Sequence, residues 1–391
     1  MPDHRRRSGR FTSYSDAMRP SSIRALEALA ALEPDLISFG PGRPDDSLFP
    51  AEAIGRAYAE VLSAASAAGH PLNYASTEGL PALRAWLAAR ERAQGRRCAE
   101  ANVLITSGSQ QAIHLVTRLL VEPGDSVVVQ SPTYPGALQV FTANRARISS
   151  IGEARHPPTA DRPALIYAMA DFQNPTGACL TLEERRELVA LARQLDAVLV
   201  EDNAYEVLRY DGERLPKLSE IDADDPDDGR TLHIGSFSKC AAPGLRLGWI
   251  VGPREMIARM ALIKQAEDLQ ASTLSQSVIA QLGDYIVGSH AVTLRTAYKH
   301  RRDCMLAALR SHMGNRVAWR EPHGGFFVWL TLNSDADTSA LLPDAIKAGV
   351  TYVPGSSFFH DGSGANHLRL SFSTGDPDRF EEGIRRLAAL L

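Results

Sequence analysis

The chain has 391 residues, a formal net charge of -4 and a hydrophobic share of 44%, enough to bury one large core and a smaller one, so two domains are expected. The small charge gives no reason to expect nucleic acid or an anionic membrane as a partner, and no run of about 18 uninterrupted apolar residues marks a membrane span. Cys98, Cys179, Cys240 and Cys304 are scattered, with no C-x-x-C pair and no histidine at ligand spacing; this speaks against a disulfide scaffold or a metal site and fits the cytoplasm.

Residues 1–20 open Met1-Pro2-Asp3-His4-Arg5-Arg6-Arg7 and are expected to be a disordered tail; no apolar stretch follows to make a secretory signal. Ser21-Ser22-Ile23-Arg24-Ala25-Leu26 opens a short helix with serine as its cap. A small strand at Leu36–Phe39 runs into Gly40-Pro41-Gly42-Arg43-Pro44-Asp45-Asp46. Its glycines and prolines suit close approach to a ligand, and equally a plain connection. Amphipathic helices are read over 51–69 and 79–94, with the polar loop Asn73–Gly79 between them. Val103–Thr106 is a buried strand that turns through Ser107-Gly108-Ser109-Gln110 into a helix, whose first N–H groups can hold a phosphate. Apolar strands follow at Asp125–Gln130, Ala164–Met169, Ala197–Asp202, Thr231–Gly235 and Leu247–Val251. Between them a helix runs from Thr181 to Gln194, with Thr181 as cap and Glu184 at the capping-box position. Residues 211–229 read as a solvated acidic loop, and 253–313 as helical, with one long helix bridging two regions. Gly325–Leu330 is a strand; His367–Ser373 is another, alternating polar and apolar with Arg369 on its polar face.

Continuous apolar strands alternating with helices imply an α/β fold, a parallel sheet covered on both faces. The boundaries are placed at 51–295 for this large domain and at 21–50 plus 296–391 for a smaller α+β domain. Ligands of such sheets bind beyond the carboxyl ends of the strands, and Gly108, Tyr134, Asn174, Asp202 and Lys239 all fall just there.

Of the five lysines, 217, 264, 299 and 347 lie in polar or helical surroundings that look like surface. Lys239 instead sits between Ser238 and a run of small apolar residues. Burial disfavours a charged amine and frees its nitrogen for attack on a carbonyl, which makes Lys239 a candidate Schiff-base lysine. Ser236, Ser238 and Arg246 can together hold a phosphate. A phosphorylated aldehyde that reacts with amines is pyridoxal 5′-phosphate. Its ring nitrogen needs a carboxylate, for which Asp202 is placed; its phenolic oxygen needs donors, for which Asn174 and Tyr205 are placed; Tyr134, stiffened between two prolines, suits ring stacking. Arg369 can fix a substrate carboxylate with Asn174 assisting. Singly, each has a plainer reading: Asp202 as a helix cap, Arg369 in a surface ion pair, Cys240 as packing.

These pieces, with Gly108-Ser109-Gln110-Gln111, Asn174-Pro175-Thr176-Gly177, Asp202-Asn203-Ala204-Tyr205, Ser236-Phe237-Ser238-Lys239 and Arg246-Leu247-Gly248-Trp249, resemble fold-type I pyridoxal-phosphate enzymes, the class I/II aminotransferases. The resemblance implies a mostly parallel central sheet of the seven-stranded type. It also implies cofactor contacts from Ser109 and Gln110, and a homodimer in which Tyr74 reaches the partner's cofactor phosphate. Ser22–Leu26 and the Gly-Pro loop are similar to the subgroup of 2-aminoadipate and kynurenine aminotransferases, where Arg24 and Gly40 would lie against the substrate side chain. Arg24 and Arg43 favour an acidic side chain, Asp45 and Asp46 a cationic one. The activity implied is amino-group transfer between an L-amino acid and a 2-oxo acid. The rivals are a β-lyase, decarboxylase or arginine-like oxidase on the same scaffold, or a cofactor-binding transcription regulator.

Overall fold

The apolar runs do become strands. The computed structural model describes residues 12–18, 24, 26, 35–63, 70–155 and 162–391. Strand β1 is Ile37–Ser38. Strands β2 (Val103–Thr106), β3 (Ser126–Val129), β4 (Arg147–Ser150), β5 (Leu165–Ala168), β6 (Val198–Asp202), β7 (Thr231–Ser236) and β8 (Gly248–Val251) form one seven-stranded sheet in the order β2-β8-β7-β6-β5-β3-β4. Leu165, Ile166, Tyr167 and Ala168 are all fully buried, which is why these strands read as continuous rather than alternating: helices cover both faces. One face carries the helix Leu182–Gln194 on Ile166, Ala168 and Leu199; the other packs Ser109–Leu120 and Arg254–Glu267 into the main core.

Strand β8 runs antiparallel to both neighbours, β2 and β7. The link Phe237–Leu247 contains only turns and a single 3-10 turn, too little chain for the crossover that a parallel neighbour requires. The other six strands are parallel, so the carboxyl ends of β2, β3, β5, β6 and β7 share one edge.

The C-terminal part has β9 (Val317–Trp319), β10 (Phe327–Leu332), β11 (Val350–Thr351), β12 (Val353–Pro354) and β13 (His367–Ser371). Four of these make an antiparallel sheet, β12-β13-β10-β9, and β1 pairs in parallel with β11. The helix Thr273–Tyr285 continues through a π-helical segment, kinked at Gly288, into the long helix Ala291–His312. The 295/296 boundary therefore falls inside a helix. The capping box at Thr181 and Glu184 forms as expected.

Several expectations are corrected. Within residues 1–20, Ser13–Ala17 is a helix capped by Thr12; the rest of that tail, apart from Met18, and the cap at Ser21-Ser22 lie outside the described residues. Residues 211–229 are solvated only in part. Glu213, Asp224, Asp227 and Asp228 are exposed, but Asp222 is buried and receives the Arg230 N–H and the Thr231 hydroxyl, and Glu201 of the neighbouring β6 receives the N–H groups of Leu218 and Ser219 at the start of the helix Leu218–Asp222. Burial pushes the Glu201 carboxyl up to about 7. Two of the four lysines that looked like surface are buried, Lys217 on Glu91 and Lys264 on Asp268. No described helix is long and apolar enough to cross a membrane.

Candidate active site

The Gly40–Arg43 loop ties the two parts together. Phe39 continues the β1–β11 pairing through the Thr351 carbonyl and accepts the Ser371 N–H of β13. The next carbonyls then point to functional side chains: Gly40 to Arg369 Nη2 at 2.5 Å, Gly42 to Lys239 Nζ at 2.8 Å, Arg43 to Ser373 Oγ at 2.6 Å. Glycine is required at position 42, where a Cβ would stand 2.8 Å from the Phe327 ring. The plain-connection reading of this loop is thus replaced by one in which its backbone positions a lysine and an arginine.

Lys239 follows β7. It is half-buried, with Nζ 5.6 Å from the Tyr205 ring centre and 5.9 Å from that of Phe326. Burial does not single it out, since Lys217 and Lys264 are buried more deeply. The partner does: those two are locked on carboxylates, whereas Lys239 is held by a carbonyl at the ligand edge of the sheet.

Asp202 ends β6 and is 2% exposed. Its Oδ2 accepts the Tyr167 hydroxyl at 2.6 Å, and its Oδ1 is buried with no side-chain hydrogen-bond partner among the described residues. Burial pushes the carboxyl up to about 6, opposed by the Tyr167 bond, the Ala204 backbone N–H and the Lys239 charge. The Tyr205 hydroxyl makes no hydrogen bond among the described residues, and the ring stands edge-on to Phe326 and Phe327. Asn174 Oδ1 accepts from Arg369 Nη1 at 2.8 Å, which leaves the amide NH2 for a ligand. Tyr134 donates to Gln110 Oε1, and Gln110 donates to the Gly136 carbonyl; the Gln110 side chain therefore orients Tyr134. Burial raises the Tyr134 hydroxyl, Asp202 adds to the rise, and Arg24, Arg369 and Arg246 oppose it, so these charges surround one cleft.

Gly108 caps the helix Ser109–Leu120 with φ of 92°, and a Cβ there would stand 2.6 Å from Arg246 Nη2. Arg246 donates to the Ser107 carbonyl at 2.9 Å, which sets its guanidinium beside that helix start. The Ser109 and Ser238 hydroxyls make no hydrogen bond among the described residues, while Ser236 Oγ accepts the Ser238 N–H at 3.1 Å and shapes the turn before Lys239. The Ser107–Ser109 turn is braced by Asp268, which accepts from Ser107 Oγ at 2.9 Å, Gln111 Nε2 at 2.8 Å and Lys264 Nζ at 2.5 Å.

Arg369 is 1% exposed on β13, its guanidinium 4.2 Å from the Phe327 ring centre and 5.1 Å from that of Phe358. Arg369 and Ser371 do share a polar face, as the alternation suggested, but that face is buried against the Gly40 loop and not solvated. Arg24 is exposed. Tyr74 is 81% exposed. Asp45 pairs with Arg301 at 2.8 Å, and Arg43 with Asp46 at 2.9 Å.

Tyr167, Asp268, Phe327, Phe358 and the Gly42 carbonyl escaped the sequence reading. Asp268 had a local signal, its i,i+4 spacing from Lys264; Tyr167 reaches Asp202 only because β5 and β6 are neighbours. A carboxylate oxygen buried without a partner is costly. A protonated pyridine nitrogen would satisfy Asp202 Oδ1, and the helix start with Arg246, Ser109 and Ser238 would satisfy a phosphate. The residues fit pyridoxal phosphate. Among the described residues, no group of three or more His, Cys, Asp or Glu is placed to hold a metal ion.

Residues 34–387 match the family described as aminotransferase class I and II. The chain is 36% identical over 396 residues to aromatic-amino-acid aminotransferase 1 of Thermococcus litoralis, covering 97% of this chain and 93% of that protein. It is 34% identical over 394 residues to 2-aminoadipate transaminase of Thermus thermophilus, covering 97% and 96%. The solved structure of Pyrococcus horikoshii kynurenine aminotransferase in complex with PMP superposes with a TM-score of 0.89 at 36% identity, covering 97% of this chain and 96% of that one.

Proposed function

This chain belongs to the class I and II aminotransferases, enzymes that use pyridoxal phosphate, and on that premise we propose that Lys239, Asp202 and Arg369 carry its reaction. Bound in the cleft, the cofactor supplies a carbonyl that takes up an amine and a ring that accepts electrons released at the substrate Cα. Lys239 Nζ moves the proton at that Cα. Asp202 Oδ1 holds the proton on the ring nitrogen, and Tyr167 keeps the carboxylate aligned. Asn174 NH2 and the Tyr205 hydroxyl donate to the phenolic oxygen, with Tyr134 against the ring. Ser109, Ser236, Ser238, Arg246 and the backbone at Gln110 hold the phosphate.

The observation that carries the substrate reading is Arg369: a buried fork aimed by Asn174 and Gly40 and sandwiched by two rings, as bidentate capture of an α-carboxylate requires. Asp45 and Asp46 are each engaged by an arginine, which weakens the arginine-like reading. We favour acidic or aromatic amino donors, with Arg24 and the Gly40 loop beside the side chain. The exposure of Tyr74 at 81% and Leu72 at 65% on one loop supports a homodimer in which Tyr74 completes the partner's phosphate site; a single-chain mass in sedimentation at micromolar concentration would remove it. We place the enzyme in the cytoplasm.

The test is to follow the visible band of the holoenzyme while adding a panel of amino acids, then 2-oxo acids. Glutamate, 2-aminoadipate or an aromatic amino acid is expected to bleach it, and the matching 2-oxo acid to restore it. A band that only arginine-like donors change, or that no 2-oxo acid restores, would overturn the reading. In the same assay Arg369→Ala is expected to raise the KM for both amino and oxo acids by about 10²-fold or more, the cost of one lost charge-assisted fork. An unchanged KM removes Arg369 from this role.

A further inference from the structure

A second cavity, of about 230 Å³, opens between the helix Pro81–Ala93, the chain after β6 and the start of the long helix Ala291–His312. It exceeds by far the ~10–15 Å³ that one ordered water needs. Five cationic side chains line it, Arg90, Arg209, Arg214, Lys217 and Arg295, against two carboxylates, Asp171 and Glu206. The carboxylates are partly spoken for: Asp171 is bound by Arg185 and Arg209, and Glu206 stands 4.0 Å from Arg90. Lys217 is neutralised by Glu91 and Arg214 by Glu220. Arg295 donates Nε to the Val207 carbonyl at 3.0 Å and has no carboxylate partner among the described residues. The cavity therefore keeps a positive excess centred on Arg295.

Its wall also carries unmet hydrogen-bonding groups. Asn203 is 2% exposed, and among the described residues neither its Nδ2 nor its Oδ1 has a partner; Gln94 Oε1 is likewise buried and unpartnered among them. A buried side-chain amide left unbonded at both ends costs free energy that a ligand with acceptors and a donor would recover. Arginine forks and an amide N–H call for an oxyanion. The two acceptor oxygens call for a proton on that oxyanion. Inorganic phosphate, which keeps at least one O–H near neutral pH, meets both; a carboxylate or sulfate meets only the first.

We propose that this cavity is a binding site for free phosphate, separate from the cleft of Lys239. Asn203 follows Asp202 directly in the chain, so an occupant would bear on the segment that presents Asp202 and Tyr205.

The test uses the holoenzyme, in which the cofactor fills the phosphate cup near Arg246. Phosphate is titrated against chloride at matched ionic strength, and heat of binding, melting temperature and the visible band are recorded. The expected result is saturable binding and a rise in melting temperature with the band unchanged. Sulfate should bind at least about threefold more weakly, lacking the proton. Arg295→Gln should weaken phosphate binding at least about tenfold, and Arg90→Gln should weaken it as well. Absence of saturable binding, loss of the visible band during the titration, or full affinity in whichever of the two variants retains the wild-type band would overturn the proposal. Equal binding of sulfate would overturn the choice of phosphate.

Discussion

Lys239→Ala is expected to lower turnover by about 10⁴-fold or more, because the change removes both a covalent handle and a positioned proton carrier. The backbone should tolerate it. Lys239 Nζ donates to the Gly42 carbonyl and stands over two aromatic rings; its loss also removes a charge that favours ionised Asp202, so the Asp202 carboxyl should rise further. The variant should still take up cofactor through the Arg246 and Asp202 ends of the cleft, and its absorbance should differ from that of the wild type. Lys347→Ala is the control: Lys347 is exposed and pairs only with Asp344 three residues earlier, and such pairs contribute little. Turnover within about a hundredfold of wild type would remove Lys239 from the chemistry.

Asp202→Asn should have two effects of opposite sign. Without its partner, the Asp202 carboxyl titrates near 6, above the ordinary 3.8, because burial penalises the charge. The folded apoprotein therefore favours the protonated acid. That contribution is fully present below about pH 4 and is lost as the pH rises through 6; the shift corresponds to at most about 3 kcal/mol. Asparagine carries no such charge and can still accept the Tyr167 hydroxyl. The cofactor-free variant should melt higher than cofactor-free wild type at pH 8 and about equally at pH 4. The holoenzyme should move the other way. Losing a buried charge pair with the ring nitrogen costs about 2–5 kcal/mol, so cofactor affinity should fall at least about thirtyfold and turnover with it. Equal melting at pH 8 would show that burial does not penalise the Asp202 charge, and unchanged cofactor affinity would show that Asp202 does not face the ring nitrogen. The unmet Oδ1 is an instance of a site destabilised for function.

The engaged acids bear on specificity. In the sequence, Arg43, Asp45 and Asp46 are three charges in one loop that point to opposite substrates. Asp45 turns out to clamp the loop to Arg301 on the long helix, and Asp46 to pair with Arg43. Two of the charges that seemed to speak about substrate thus hold the loop whose carbonyls aim Lys239 and Arg369.

What the sequence by itself determined is the part carried by short-range physics. Apolar runs without alternation announced a sheet covered on both faces, and residues just past those runs marked its ligand edge, where Gly108, Tyr134, Asn174, Asp202 and Lys239 stand. The capping box at Thr181 and Glu184 was legible because both bonds close within four residues. Tertiary structure alone decided which charges are buried and what they face. Lys217 and Lys264 read as surface, yet each is enclosed, because its carboxylate arrives from Glu91 far up the chain or from a helix end that packing covers. Residues 211–229 read as solvent-loving, yet Asp222 and Glu201 accept backbone N–H groups whose approach depends on how β6, β7 and the following helix stack. The Tyr167–Asp202 bond and the Gly40 and Gly42 carbonyls share that cause. Each is a pairing between segments remote in sequence, and local pattern reports a side chain's polarity but not its partner.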